Sequence, residues 1–140
     1  MIDLLIGNFL GTSHGGAVTI LTGGSVGYRV LLHDRDQRTL LGYDSGGVVQ
    51  LHIQTLICED AFDLYGFLSR DDHEAFCDLC ALGGLGPVKA RRILSTVRAD
   101  ELRAMVRRAD IKALSALHGV GAKTAELIVK EMPTTAGAKR

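Results

Sequence analysis

The chain has no run long and apolar enough to span a bilayer and no signal peptide at its start, so a cytoplasmic protein is expected. Cysteine is scarce: three residues, an odd number, argue against a disulfide framework and for a reducing compartment. Cys77 and Cys80 form a C-x-x-C, but no second pair follows to complete a zinc site. They lie three apart in a predicted helix, where both thiols are expected to line a core face, and the strand-to-helix context of a redox pair is missing. The five histidines, His14, His33, His52, His73 and His118, show no ligand spacing, and surface or packing roles are expected for them. No phosphate-binding P-loop supports ATP hydrolysis, and no cluster of lysine, aspartate or metal ligands marks a catalytic site. Neither a metal nor another cofactor is expected.

Net charge is absent as well, 16 basic residues balancing 16 acidic ones. At first this argues against a polyanionic ligand, but the charges are unevenly placed. Residues 1–68 carry three basic against seven acidic residues, whereas residues 69–140 carry 13 against nine. A half able to hold phosphate is therefore joined to a half that repels it. With 46% hydrophobic residues in 140, the chain can form one ordinary domain or two small ones, whose limited cores would gain from oligomerisation.

The first 67 residues read as β-structure. Leu4 to Leu10, Ala17 to Thr22, Val26 to Leu32 and Val48 to Ile57 are rich in β-branched residues, with turns expected at Gly15-Gly16, Gly23-Gly24 and Gly46-Gly47. Short strands that close on themselves to avoid exposed edges suggest a small oligonucleotide-binding (OB) type β-barrel over 1–67. From residue 68 to 133 the pattern is helical. Ser69 is placed to cap a helix from Arg70 to Leu82, with Asp71, Asp72 and Glu74 near its positive end. A second helix runs to Val97. A third, Ala99 to Arg108, should turn Leu102, Met105 and Val106 inward and Arg103, Arg107 and Arg108 outward. Asp110 caps the fourth, and the fifth runs from Ala122 to Met132 before Pro133. Residues 134–140 read as a small, polar, disordered tail. The fold class is thus α+β in two domains.

Within the helical region a single pattern occurs twice, 35 positions apart: Gly84-Leu85-Gly86-Pro87-Val88-Lys89-Ala90 and Gly119-Val120-Gly121-Ala122-Lys123-Thr124-Ala125. Each is a glycine turn between two helices, a helix-hairpin-helix. Glycine serves where φ must be positive and where another backbone comes close. Leu85 and Val120 are apolar plugs for the helix pairs, and Ile93 and Ile128 extend the match. Beyond each turn a new helix N-terminus presents unpaired N–H groups and a positive dipole end, a site for phosphate. Two such turns in register can grip both strands of a duplex. The expected ligand is a nucleic-acid backbone, contacted by amides around Gly84, Leu85, Gly86, Gly119, Val120 and Gly121 and by the side chains of Lys89, Lys123 and Thr124. Such contacts position a duplex without reading its sequence.

Over nearly its whole length the chain resembles the RuvA family of Holliday-junction branch-migration proteins. The resemblance lies in Val26-Gly27-Tyr28-Arg29-Val30, in Glu59-Asp60-Ala61-Phe62-Asp63-Leu64-Tyr65-Gly66-Phe67, and in the two glycine hairpins. It implies a non-catalytic scaffold, a homotetramer that holds the four arms of a DNA junction in a flat square, with one or two tetramers per junction. It also implies an acidic pin at the centre, formed by Glu59 and Asp60, which repels phosphates at the crossover. The partners it implies are the ATP-driven motor RuvB and the resolvase RuvC, in recombination, repair and the SOS response to DNA damage. A linker and a third, small helical domain dock the motor in that family, and this sequence reaches Arg140 just past the second hairpin, so no segment in it is expected to carry RuvB docking.

Taken alone, adjacent carboxylates such as Glu59 and Asp60 also suit metal ligation, general acid–base chemistry or a solvated hairpin tip. Neighbours in a strand point to opposite faces, and no further acidic cluster completes a two-metal site. Departures from the family pattern fall on charge. Cys58 stands where a basic residue precedes the acidic pair, Val88 where lysine follows proline, Ala122 at a frequent lysine position and Leu127 at a frequent arginine position; Lys89 comes one place later and is turned roughly 100° around the helix. Competing classes are a DNA-processing enzyme that uses the hairpins for binding, a generic duplex-binding module, and a protein-interaction module with a weakened DNA surface.

Overall fold

Alternation of side chains builds the first unit. Along β1 (Leu4–Ser13), Leu5, Gly7 and Phe9 turn inward while Leu4 and Ile6 face out, as the two-residue repeat of a strand requires. Strands β2 (Ala17–Thr22), β3 (Val26–Leu32), β4 (Val48–Cys58) and β5 (Ala61–Phe67) complete a closed barrel in the order β1-β2-β3-β5-β4. All neighbours are antiparallel except β3 and β5, which pair in parallel through Leu31 with Tyr65 and Leu32 with Gly66. A side chain on Gly66 would collide with Val30 and Leu32, so glycine is needed where that seam closes. That closing seam rests on two residue pairs, at the ends of β3 and β5. The computed structural model describes residues 1–43 and 46–136.

Phe9, Val18, Ile20, Val30, Leu51 and Ile53 dominate the barrel core. Two elements of this unit differ from the sequence expectation. Ala61–Phe67, not assigned to a strand from the sequence, is β5, and the stretch between β3 and β4 holds a helix, α1 (Asp34–Leu41), which drives Leu40 into the core. The chain divides into two compact units, Met1–His73 and Glu74–Arg140, so the division falls inside α2 (Arg70–Cys80).

The second unit continues with α3 (Pro87–Thr96), α4 (Ala99–Arg107), α5 (Ile111–Ser115) and α6 (Ala122–Glu131). Phe76, Leu79, Ile93, Leu94, Leu102 and Leu114 are fully buried in it. The Asp110 carboxylate accepts the Ala113 N–H at 2.9 Å and so caps α5. Arg103 corrects the reading of α4. It is buried rather than outward, its guanidinium 2.9 Å from the Asp78 carboxylate and donating to the Pro133 carbonyl at 2.7 Å. A cation can occupy a core only with such partners, and helical periodicity gives no hint of partners 25 and 30 residues away. The tail expectation extends to residues 137–140, outside the described residues.

Candidate nucleic-acid interface

The two glycine hairpins repeat each other in backbone geometry. Gly84 and Gly119 have φ of +80° and +83°, the left-handed region that side chains other than hydrogen disfavour. In the first turn the Leu85 N–H donates to the Leu82 carbonyl at 3.3 Å, and in the second the Val120 N–H donates to the Leu117 carbonyl at 3.0 Å. The Leu85 and Val120 side chains are buried, and in the free chain their N–H groups are taken up inside the turn. Ala90 and Ala125 sit at equivalent buried places, where their N–H groups return to the Gly86 and Gly121 carbonyls.

Gly86 and Gly121 are the N-caps of α3 and α6, with ordinary extended angles (φ −82°, ψ 174° and φ −93°, ψ 179°). An added Cβ at either position would meet nothing within 4 Å. Neither backbone strain nor internal crowding therefore demands glycine there. Neither helix has a side-chain cap hydrogen bond, so the first-turn N–H groups, absent only at Pro87, are left without a side-chain acceptor. α1, α2 and α4 carry acidic residues in their first turns and α5 is capped by the Asp110 carboxylate, whereas α3 and α6 have neither. The two hairpin helices thus keep their positive ends unneutralised.

Side chains break this symmetry. Lys89 and Lys123 are exposed and Thr124 is half-buried. By the 35-residue offset, Lys89 of the first hairpin corresponds to Thr124, while Lys123 corresponds to Val88, an exposed apolar residue. Each hairpin helix thus has one lysine in its first turn, at a different place.

Glu59 and Asp60 lie in the barrel unit. They are not strand neighbours on opposite faces but the two-residue turn joining β4 to β5, between the paired Cys58 and Ala61. Both are exposed, and behind them the paired Ile57 and Phe62 are exposed as well. A solvated acidic tip results, with no third carboxylate to form a metal site with it among the described residues.

Sequence reasoning missed a buried cluster in the same unit. His33, Asp36 and Asp72 gather with donor atoms within 4.8 Å of one another, and Arg35 pairs with Asp72 at 2.9 Å. The His33 Nε2 lies 3.2 Å from Asp36 and 3.5 Å from Asp72. His33 Nδ1 accepts the Asp36 N–H, which caps α1. That contact leaves the imidazole proton on Nε2, where a metal would need a lone pair, and Nε2 lies near both carboxylates without a hydrogen bond to either. The cluster fits a structural clasp and not a metal centre. Burial is the main force raising the Asp36 carboxyl above its ordinary value, against the opposing His33 imidazole and the Leu68 N–H. Only the i, i+3 spacing of His33 and Asp36 is visible in sequence; Asp72 comes from a remote element. Cys77 and Cys80 are half-buried free thiols, and burial together with Cys77 pushes the Cys80 thiol up to about 12, far from a reactive thiolate.

No helix among the described residues is long and apolar enough to cross a membrane. Comparison with known proteins follows the division of the chain. A family model described as the RuvA N terminal domain matches residues 1–66, and one described as a SAM-like helix-hairpin-helix tandem matches residues 76–132. Among curated relatives, proteins named Holliday junction branch migration complex subunit RuvA align over most of the chain. That of Trichlorobacter lovleyi is 38% identical over 98% of this chain and 66% of its own length. The protein from Solibacter usitatus is 40% identical over 94% and 65%, and that from Pelobacter propionicus 37% over 98% and 67%. The chain spans about two thirds of the length of these relatives. With barrel and paired hairpins matched in one continuous alignment, the chain belongs to the RuvA family.

Proposed function

We propose that this protein binds four-way DNA junctions by their shape, as a non-enzymatic scaffold for branch migration in recombination and repair. The observation that carries the proposal is the pair of equivalent hairpins, each ending in an uncapped, acid-free helix N-terminus. Backbone amides around Gly84, Gly86, Gly119 and Gly121 hold phosphates, with Lys89, Lys123 and Thr124 adding side-chain contacts. Phosphate contacts of this kind fix the position of a duplex and carry no base information. Glu59 and Asp60 act as the acidic pin, repelling strands at the crossover. Family membership supports a homotetramer as the working assembly, one or two per junction, with RuvB supplying the ATPase and RuvC the resolvase.

Gel shifts test this directly, using immobile four-way junctions of two unrelated sequences beside linear duplexes of equal length. Both junctions should be retained equally and in preference to duplex, in a salt-sensitive manner, and the DNA should be recovered intact after incubation with magnesium. Equal, weak retention of junction and duplex would favour a generic duplex module. Cleaved product would establish an enzyme instead.

A further inference from the structure

We propose that Arg92 is a phosphate-binding residue of the second hairpin, supplied across the pair by the helix that follows the first. The inference rests on the DNA-binding reading above and adds a cation to it.

Of the four hairpin glycines, Gly84, Gly86 and Gly121 would meet nothing within 4 Å if given a Cβ; at Gly119 the added atom would lie 3.4 Å from the Arg92 Cδ. The aliphatic stem of Arg92 therefore lies on the turn of the other hairpin, at its left-handed glycine. Arg92 is exposed, and among the described residues its side chain makes no hydrogen bond or ion pair. Contrast Arg103 in the same unit, which is buried and bound to Asp78 and Pro133. Two arginines, one spent on structure and one on the surface, separate the roles cleanly.

Position supports chemistry here. A stem resting on the hairpin restricts the rotamers of Arg92 before any ligand arrives, so less freedom is lost when its planar fork meets two phosphate oxygens. The guanidinium, two bonds beyond Cδ, extends from the turn whose helix carries Lys123 and no acidic first-turn residue. The 35-residue offset gives Arg92 the equivalent Leu127, a half-buried apolar residue. No matching cation reaches from α6, so the second hairpin holds phosphate through Arg92 and Lys123 while the first relies on Lys89.

The test is equilibrium binding of the full chain to a labelled immobile four-way junction across a potassium chloride series. Arg92→Gln, Arg92→Lys and, as a charge-matched control in the barrel unit, Arg38→Gln are compared with the unsubstituted chain. For Arg92→Gln the expected result is a loss of affinity of roughly 3- to 10-fold and a slope of log K against log salt shallower by about 0.9. Arg92→Lys should restore the slope but only a fraction of the affinity, because lysine has no bidentate fork. Arg38→Gln should change neither. An unchanged slope for Arg92→Gln, with binding still lost on substitution of Gly86 and Gly121, would overturn this assignment alone. No hairpin-dependent binding by the unsubstituted chain would overturn it together with the DNA reading.

Discussion

Gly84 and Gly119, 35 positions apart, adopt the same left-handed conformation, and the next glycine in each turn, Gly86 or Gly121, adopts an ordinary extended one. The two kinds of glycine have separate jobs. The first bends the chain; the second keeps a helix N-terminus uncovered.

Substitution should separate those jobs. Gly84→Ala or Gly119→Ala forces a Cβ into the left-handed region and is expected to cost roughly 1–2 kcal/mol of stability. Gly86→Ser and Gly121→Ser meet neither strain nor crowding and supply a hydroxyl that caps the first-turn amides, so urea midpoints should hold or rise while junction affinity falls about tenfold, roughly 1.4 kcal/mol. Chemical denaturation and binding titrations on the same four proteins check both halves of the prediction.

Arg103 and Asp78 form a buried pair whose disruption should be costly. Asp78→Ala leaves a buried guanidinium with one partner fewer, and a loss of roughly 3–5 kcal/mol is expected. Replacing both residues together, as Arg103→Met with Asp78→Leu, should recover much of that loss. A double-mutant cycle by urea denaturation measures the coupling.

Acidity should act on the barrel through Asp36. Its carboxyl titrates above the ordinary 3.8 because burial disfavours the charged form. Between 3.8 and the raised value the folded protein binds more protons than the unfolded chain, so this group adds stability as pH falls through its folded pKa and withdraws it as pH rises. Asp36→Asn removes the titration and keeps an oxygen to accept the Leu68 N–H. Relative to the parent, the variant should therefore gain stability as pH rises above 3.8, read as urea midpoints across a pH series. A constant difference would count against a buried, raised carboxyl.

The acidic tip should affect binding and not folding. Glu59→Gln with Asp60→Asn removes two exposed charges from a turn, so thermal stability is expected to hold. Junction affinity should rise, by roughly threefold at low salt, with the gain fading as salt screens the repulsion. Measuring both DNA forms decides whether the effect is confined to the crossover, since linear duplex should gain less.

Where pattern is local, the sequence is legible. The limits of β2 follow from a β-branched run between two glycine pairs and the start of β3 from the second of them, and the hairpins are readable because turn chemistry and helix initiation fall within a few consecutive residues. α1 escapes because Asp34, Arg35, Asp36, Gln37 and Arg38 precede its apolar residues, leaving too little periodicity. Ala61–Phe67 is recognisable as a motif without reading as a strand, since its defining partners are β3 and β4. Arg103 and the His33–Asp36–Asp72 clasp are hidden for a related reason: their partners come from other elements, and sequence spacing says nothing of what the fold brings opposite a charged side chain.

In the proposed function, paired, uncapped hairpins select a four-way junction through backbone phosphate contacts. Its most direct test is a competition titration, in which a labelled junction is displaced by unlabelled junction or by linear duplex, with the parent chain and with a Gly86→Val, Gly121→Val double variant of confirmed fold. Junction is expected to compete far better than duplex against the parent, and the double variant to lose this preference along with most of its affinity. Equal competition by the two DNAs in the parent, or an undiminished preference in the double variant, would contradict it.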